Sequence, residues 1–197
     1  SGVASTAYRY WNSSSGWTTW TAYSGAFTLG ADEGKYYLEF NSTDNLGNAE
    51  SSNNWTIWVD NSAPTTTLTI NSPNYPSAVD GCNVTSATTF TLSAIDNPAH
   101  NASVAFSWYT DNGVYSVYSG AFTLSGEGAH TITYGSQDNL GNNESANTVT
   151  LWVDDTAPTT TLTINEQVHP SSQTGCNVTS STTMISVSYT HLRAHET

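Results

Sequence analysis

A chain of 197 residues, 37% hydrophobic and 10% charged, is long enough for one or two ordinary domains. Its net charge is −13 and only Arg9, Lys35 and Arg193 are positive, which excludes nucleic acid and anionic membrane surfaces as partners, because affinity for phosphates comes from clustered Lys and Arg. Thr, Ser, Asn, Gly, Tyr and Trp dominate and good helix formers are scarce, so the class is all-β and the natural counter-charge is a cation.

In chain order, residues 1–60 read as the later part of a β-module whose first two strands are missing. Tyr8 and Tyr10 alternate along a strand matched to Phe106 and Trp108, and Trp11, Trp17, Trp20 and Tyr23 form an aromatic hairpin. The segment 23–29 matches 118–124, Glu33-Gly34 matches Glu127-Gly128, and the DNLGN stretch 44–48 matches 138–142. Trp55, Ile57 and Val59 then alternate with Thr56 and Trp58, the period of a half-buried strand.

The joint follows. The stretch 58–71 recurs at 152–165 with twelve of fourteen positions identical, a spacing of 94 residues that marks a tandem repeat. Pro64 and Pro158 lack an amide donor and push the preceding residue out of the helical region, so a sheet ladder cannot run through. Residues 61–155 hold the one complete module, with strands expected over 65–70, 88–94, 104–109, 114–118, 121–124, 130–137 and 147–154. A long loop with Pro73, Pro76 and Gly81 separates the first two, and Asp111-Asn112-Gly113 signals a hairpin. Short strands at this spacing in a 94-residue repeat outline an immunoglobulin-like antiparallel sandwich.

Residues 156–186 start a third module. The last eleven, VSYTHLRAHET over 187–197, resemble the translation of a transposase-type sequencing adaptor and are expected to add nothing to the fold. His191 and His195, at the i, i+4 spacing of a zinc helix, are set aside with them. Both ends are expected to be truncated, so neither a signal peptide nor an anchor is to be read from them.

The Gly2-Val3-Ala4-Ser5 opening, Tyr8-x-Tyr10, the aromatic hairpin, the YSGAFTL stretch 23–29, Glu33-Gly34, DNLGN and the closing Val59-Asp60-x-x-Ala63-Pro64 resemble the bacterial and archaeal immunoglobulin-like repeats of large cell-surface and secreted proteins, over residues 1–186. The resemblance implies tandem sandwiches outside the cell or at its surface, one complete and two truncated. Such modules serve as stalks, adhesins and spacers beside enzymes, so the family is nearly silent on function.

The residues point away from catalysis. His100, His130 and His169 have no Ser or Cys motif around them, His130 takes the strand position of Tyr36, and the carboxylates gather in turns rather than on one strand face. DNLGN reads as a turn in which Asp accepts from amides two or three residues on and Gly supplies a positive φ; the alternative is a share in cation or partner binding. Seven Asn-x-Ser/Thr acceptors, at Asn12, Asn41, Asn54, Asn83, Asn101, Asn143 and Asn177, are about what this composition gives by chance. Cys82 and Cys176 recur at one place in successive repeats, too far apart for a bridge, and read as small buried residues near the start of a second strand or as intermolecular partners. The hairpin aromatics, with Tyr109, Tyr115 and Tyr118 in the second copy, are either core and cross-strand packing or a platform for sugar rings.

Carboxylates converge at the joints. In an antiparallel sandwich the last strand ends at the pole of the Glu-Gly turn, which places Asp32, Glu33, Asp60 and Asn61 at the first joint and Glu127, Asp154 and Asp155 at the second. Asp96 and Asp138 face the first joint from the following module. Calcium takes about six to eight oxygen ligands, and both a weak calcium site and solvated acidic turns fit this pattern. No other cofactor is expected. The reading is a non-enzymatic structural or adhesive segment of an extracellular tandem-repeat protein, with neighbouring modules and surface polysaccharide or protein as partners and no membrane insertion of its own. The alternative is a carbohydrate- or cation-binding accessory module of a secreted enzyme.

Overall fold

A computed structural model gives the fold and describes residues 2–71, 74–97, 102–164 and 175–189. Pro73, His100, Asn101, His169, His191, Arg193 and His195 lie outside the described residues. Two compact units are present, Ser1–Val153 and Asp154–Thr197. The described residues are all-β, and no helix among them is long and apolar enough to cross a membrane.

The first unit opens with a five-stranded antiparallel sheet: β1 (Val3–Asn12), β2 (Gly16–Trp17), β3 (Thr21–Ala22), β4 (Gly34–Asp44) and β5 (Asn53–Val59). Its order is β2-β1-β4-β5, with β3 on β1. Because side chains alternate along a strand, Tyr8, Tyr10, Leu38, Phe40 and Trp55 share one face, and Phe27 stacks on Tyr8 at 3.8 Å. Trp55 on this face stays 64% exposed.

The sandwich follows. One sheet holds β6 (Thr65–Asn71), β9 (Thr89–Ile95) and β12 (Phe122–Thr123), in the order β12-β9-β6. The other holds β7 (Asn74–Tyr75), β8 (Asn83–Val84), β10 (Val104–Asp111), β11 (Val114–Val117), β13 (Gly128–Asp138) and β14 (Asn147–Val153), in the order β11-β10-β13-β14-β8-β7. Between them lies the core of Leu68, Cys82, Val84, Phe90, Leu92, Leu124, Ile132, Tyr134, Val149, Leu151 and Val153, which are the inward members of each alternating run. Asn112 and Gly113 take positive φ, 48° and 85°, in the two-residue β10–β11 turn, as the Asp-Asn-Gly signal implied.

Three expectations are corrected. The long loop after β6 contains β7 and β8, and β8 pairs parallel with β14, covering that edge. Two-residue bridges among Pro and Gly carry no periodicity, which hid them. Cys82 is fully buried, but it sits beside β8 rather than at the start of the second strand of the repeat. Tyr8 pairs with Phe40 where Tyr109 pairs with Tyr134, so Tyr8 corresponds to Tyr109 rather than Phe106; an alternating aromatic pattern alone does not fix register.

The two copies also differ for a physical reason. Phe122 and Thr123 form a strand by pairing with Phe90 and Thr89 of β9. Phe27 and Thr28 have no such strand to pair with and stay irregular. In the second unit β15 (Thr159–Ile164) and β16 (Met184–Tyr189) pair antiparallel, and Thr159↔Tyr189 repeats the Thr65↔Ile95 register one repeat later. The expectation that 187–197 add nothing to the fold is also corrected: β16 runs on through Val187, Ser188 and Tyr189, paired with Thr161, Thr160 and Thr159, because backbone pairing tolerates any residue that accepts extended geometry.

Candidate functional site: a buried carboxylate cluster

Three chain segments meet at one end of the sandwich. Asp60 follows β5 where Pro64 forbids the ladder to continue, Asp96 follows β9, and Asp138 ends β13. One carboxylate oxygen from each lies within 4.8 Å of the others, and the residues are only 6%, 4% and 1% exposed.

Such a cluster is electrostatically unfavourable unless neutralised. Two unit charges at that separation repel by about 3 kcal/mol at an effective dielectric of ~20, and three carboxylates make three such pairs. The described cations are engaged elsewhere: Arg9 pairs with Glu39 at 2.7 Å, and Lys35 lies over the rings of Tyr37 and Trp58.

Hydrogen bonds account for most of the oxygens. Asp60 Oδ1 accepts from the Ser62 amide at 3.1 Å and Oδ2 from the Ala102 amide at 3.1 Å. Asp138 Oδ1 accepts from the amides of Leu140 and Asn142 at 2.9 and 2.8 Å, and Oδ2 from Asn142 Nδ2 at 2.7 Å. Burial pushes the Asp138 carboxyl up, but those bonds from Asn142, Leu140 and Gly141 outweigh it and hold the group below the ordinary carboxylate range. Asp96 differs. Its Oδ1 accepts from the Asn97 amide at 2.9 Å, while Oδ2 is buried with no hydrogen-bond partner. A buried charged oxygen left without a donor is costly.

Among the described residues the donor set is all oxygen, with no nitrogen or sulfur ligand in the cluster. That chemistry suits a hard divalent cation, calcium above the softer transition metals. Asp60, Asp96 and Asp138 would be its carboxylate ligands, and carbonyls and water would complete the shell.

The other expected residues divide. Glu33 Oε1 accepts from the Asn61 amide at 2.8 Å and from Ser62 Oγ at 2.7 Å, so its carboxylate ties the joint to the turn before β4. Asp32 gives its carbonyl to Tyr36 at 2.9 Å and is exposed. Glu127, Asp154 and Asp155 are exposed as well, and Asp154 Oδ1 accepts from the Thr156 amide at 3.1 Å, as Asp60 does from Ser62.

Asn142 closes the DNLGN stretch, whose alternative reading is a share in cation or partner binding, but its link to Asp60 is not foreseen from the sequence. Its Nδ2 reaches both Asp138 and the Asp60 carbonyl, at 2.7 and 3.2 Å, and so joins the DNLGN turn to the linker. In the first copy Asp44 makes the same turn with Leu46 and Asn48, so in both copies Asp accepts from amides two and four residues on.

His130 belongs to the scaffold. It is buried, with Nδ1 2.8 Å from Asp111 and Nε2 3.0 Å from the Gly126 carbonyl, the carbonyl that corresponds to the one Tyr36 reaches in the first copy. Cys82 and Cys176 are both free thiols. Of the aromatics read together, Tyr109 and Tyr118 pack on the core, whereas Trp17, Trp20 and Tyr115 stay exposed.

No family model matches the chain, and no curated protein does. Among solved structures it is similar to the fibronectin(III)-like modules of Clostridium thermocellum CbhA, with 16% identity and a TM-score of 0.35 over 78% of this chain and 80% of that one.

Proposed function

We propose that this chain is a structural segment of an extracellular tandem array, a stalk or adhesin, whose inter-module joint is locked by a bound calcium ion. The observation that carries the reading is the trio Asp60, Asp96 and Asp138, buried together with Asp96 Oδ2 unpartnered. Asp60 belongs to the linker, and Asp96 and Asp138 to the sandwich that follows it. A cation held by all three therefore joins the linker to the next sandwich, which is what an array needs to resist bending. The 94-residue repeat supports the array, and the acidic balance of −13 supports a cation as its counter-charge. The reading is of a structural site: among the described residues nothing around it supplies a nucleophile or an acid-base pair, and its ligands come from turns whose own hydrogen bonds hold them in place.

Small-angle scattering of the full chain, with calcium and with excess chelator, tests the reading. Calcium is expected to narrow the distribution of dimensions and EDTA to broaden it. Identical profiles, together with no heat of binding at 10 mM calcium by calorimetry, would leave only solvated acidic turns; extracellular sites of this class bind at about 10⁻⁴ to 10⁻³ M.

A further inference from the structure

The face of the first sheet opposite Tyr8, Leu38 and Phe40 carries a different set of side chains. Trp11 stands between Trp17 and Tyr37 across adjacent strands, and Lys35 is opposite Trp58. Arg9 pairs with Glu39 and lies over the rings of Trp17 and Trp20, at 4.5 and 4.9 Å to the centroids. Lys35 lies 4.5 Å over Tyr37. Trp17, Trp20 and Trp58 remain 45%, 40% and 54% exposed.

The second copy is an internal control. At the positions of Arg9, Glu39, Tyr37 and Lys35 its corresponding face has Thr110, Thr133, Thr131 and Ala129, as the matched registers show. Trp152 repeats Trp58, and a separate pair, Trp108 stacked on Tyr115, lies elsewhere on that face. The second copy thus forms its corresponding sheet without the charged groups or the longer Trp-bearing hairpin. Both described cations of a chain with net charge −13 lie on this one face.

We propose that the outer face of the first sheet binds a neutral polysaccharide across Trp17, Trp20 and Trp58, with Arg9, Glu39 and Lys35 meeting its hydroxyls. The surface alternates aromatic rings with hydrogen-bonding groups, and pyranoses have that character, with apolar C–H faces and a polar rim. Trp17 on β2 and Trp58 on β5 lie three strand spacings of about 4.8 Å apart across the sheet, the scale of a few sugar residues. Trp, Tyr and Arg also occur at protein interfaces, but Lys35 and Glu39 beside them are of the types depleted there. The net charge repels nucleic acids and acidic polysaccharides, and Glu39 already neutralises Arg9.

Affinity electrophoresis of the full chain in gels containing hydroxyethylcellulose, xylan or galactomannan, with polygalacturonate as the acidic control, tests this. Retardation is expected in at least one neutral gel, unchanged by EDTA and by Trp55→Ala on the opposite face. Trp17→Ala with Trp20→Ala should weaken it at least tenfold, and so should Arg9→Thr with Glu39→Thr, which installs the residues that the second copy folds with. Unretarded migration in all three neutral gels, retardation only by polygalacturonate, or retardation that survives the Trp pair in a variant with an unchanged melting temperature would overturn the proposal.

Discussion

Glu144 is the side chain whose removal should damage the sandwich most for its size. It follows β13 and reaches across to the opposite sheet. Oε1 accepts from the Thr66 amide at 2.9 Å and from Asn147 Nδ2 at 2.8 Å; Oε2 accepts from the Ser136 amide at 3.1 Å and from Thr66 Oγ1. Thr66 and Ser136 are 6% and 0% exposed, and their hydroxyls bond each other at 2.6 Å, so water does not readily replace the carboxylate. Glu144→Ala therefore strands two buried amides and frees two further donors. At about 1 kcal/mol for each lost bond, the loss is about 4 kcal/mol, a large share of the 5–15 kcal/mol a domain usually has. Glu144→Gln keeps one acceptor oxygen and should lose roughly half as much. Glu50, its counterpart in the first copy, donates its amide to the Ser42 carbonyl and is exposed; Glu50→Ala should stay within about 0.5 kcal/mol of the parent. Urea unfolding followed by tryptophan fluorescence, with m-values compared, reads all three. Finding Glu144→Ala within 1 kcal/mol of the parent, or equal to Glu50→Ala, would refute the reasoning.

Three further outcomes follow from the same contacts. His130→Tyr should melt close to the parent because Tyr36 already makes the equivalent carbonyl bond, whereas His130→Leu should lose about 1–3 kcal/mol by leaving Asp111 and the Gly126 carbonyl unpaired. Because Asp138 is held below the ordinary carboxylate range, its contribution is complete above a pH of about 3.9 and disappears as pH falls from there through its folded value; in EDTA, the stability of the parent relative to Asp138→Asn should decline only on that acid limb. Burial pushes the Cys82 thiol up, with Asp80 adding to it, so Cys82 should resist thiol reagents until the sandwich unfolds, at the rate of global opening.

What was legible in the sequence was what local chemistry determines. The DNLGN turn and the Asp111-Asn112-Gly113 hairpin rest on residues that set their own backbone, and the alternating runs of β9, β13 and β14 show which side faces inward. Register was less legible: Tyr8-x-Tyr10 matches Phe106-x-Trp108 as a pattern, but the structure pairs it three residues later, because alternation does not distinguish one rung from the next. The site was partly legible. Asp60, Asp96 and Asp138 were among the expected joint residues and do meet, while Glu33 turned out to be consumed by Asn61 and Ser62. Glu144 was missed although Glu50 precedes it by one repeat, a recurrence that could have flagged it. Its role is invisible without the opposite sheet, since Thr66 is 78 residues away along the chain.

The most direct test of the calcium-locked joint is the melting temperature of the full chain and of Asp96→Asn, each in EDTA and in 10 mM calcium. With a dissociation constant of about 10⁻⁴ to 10⁻³ M, calcium should stabilise the parent by about 1.4–2.7 kcal/mol, or roughly 5 °C and upward. Asp96→Asn removes one charge from the trio and should melt above the parent in EDTA, yet gain nothing from calcium. A parent that melts at one temperature in both conditions, or an Asp96→Asn variant that responds to calcium as the parent does, would contradict the account.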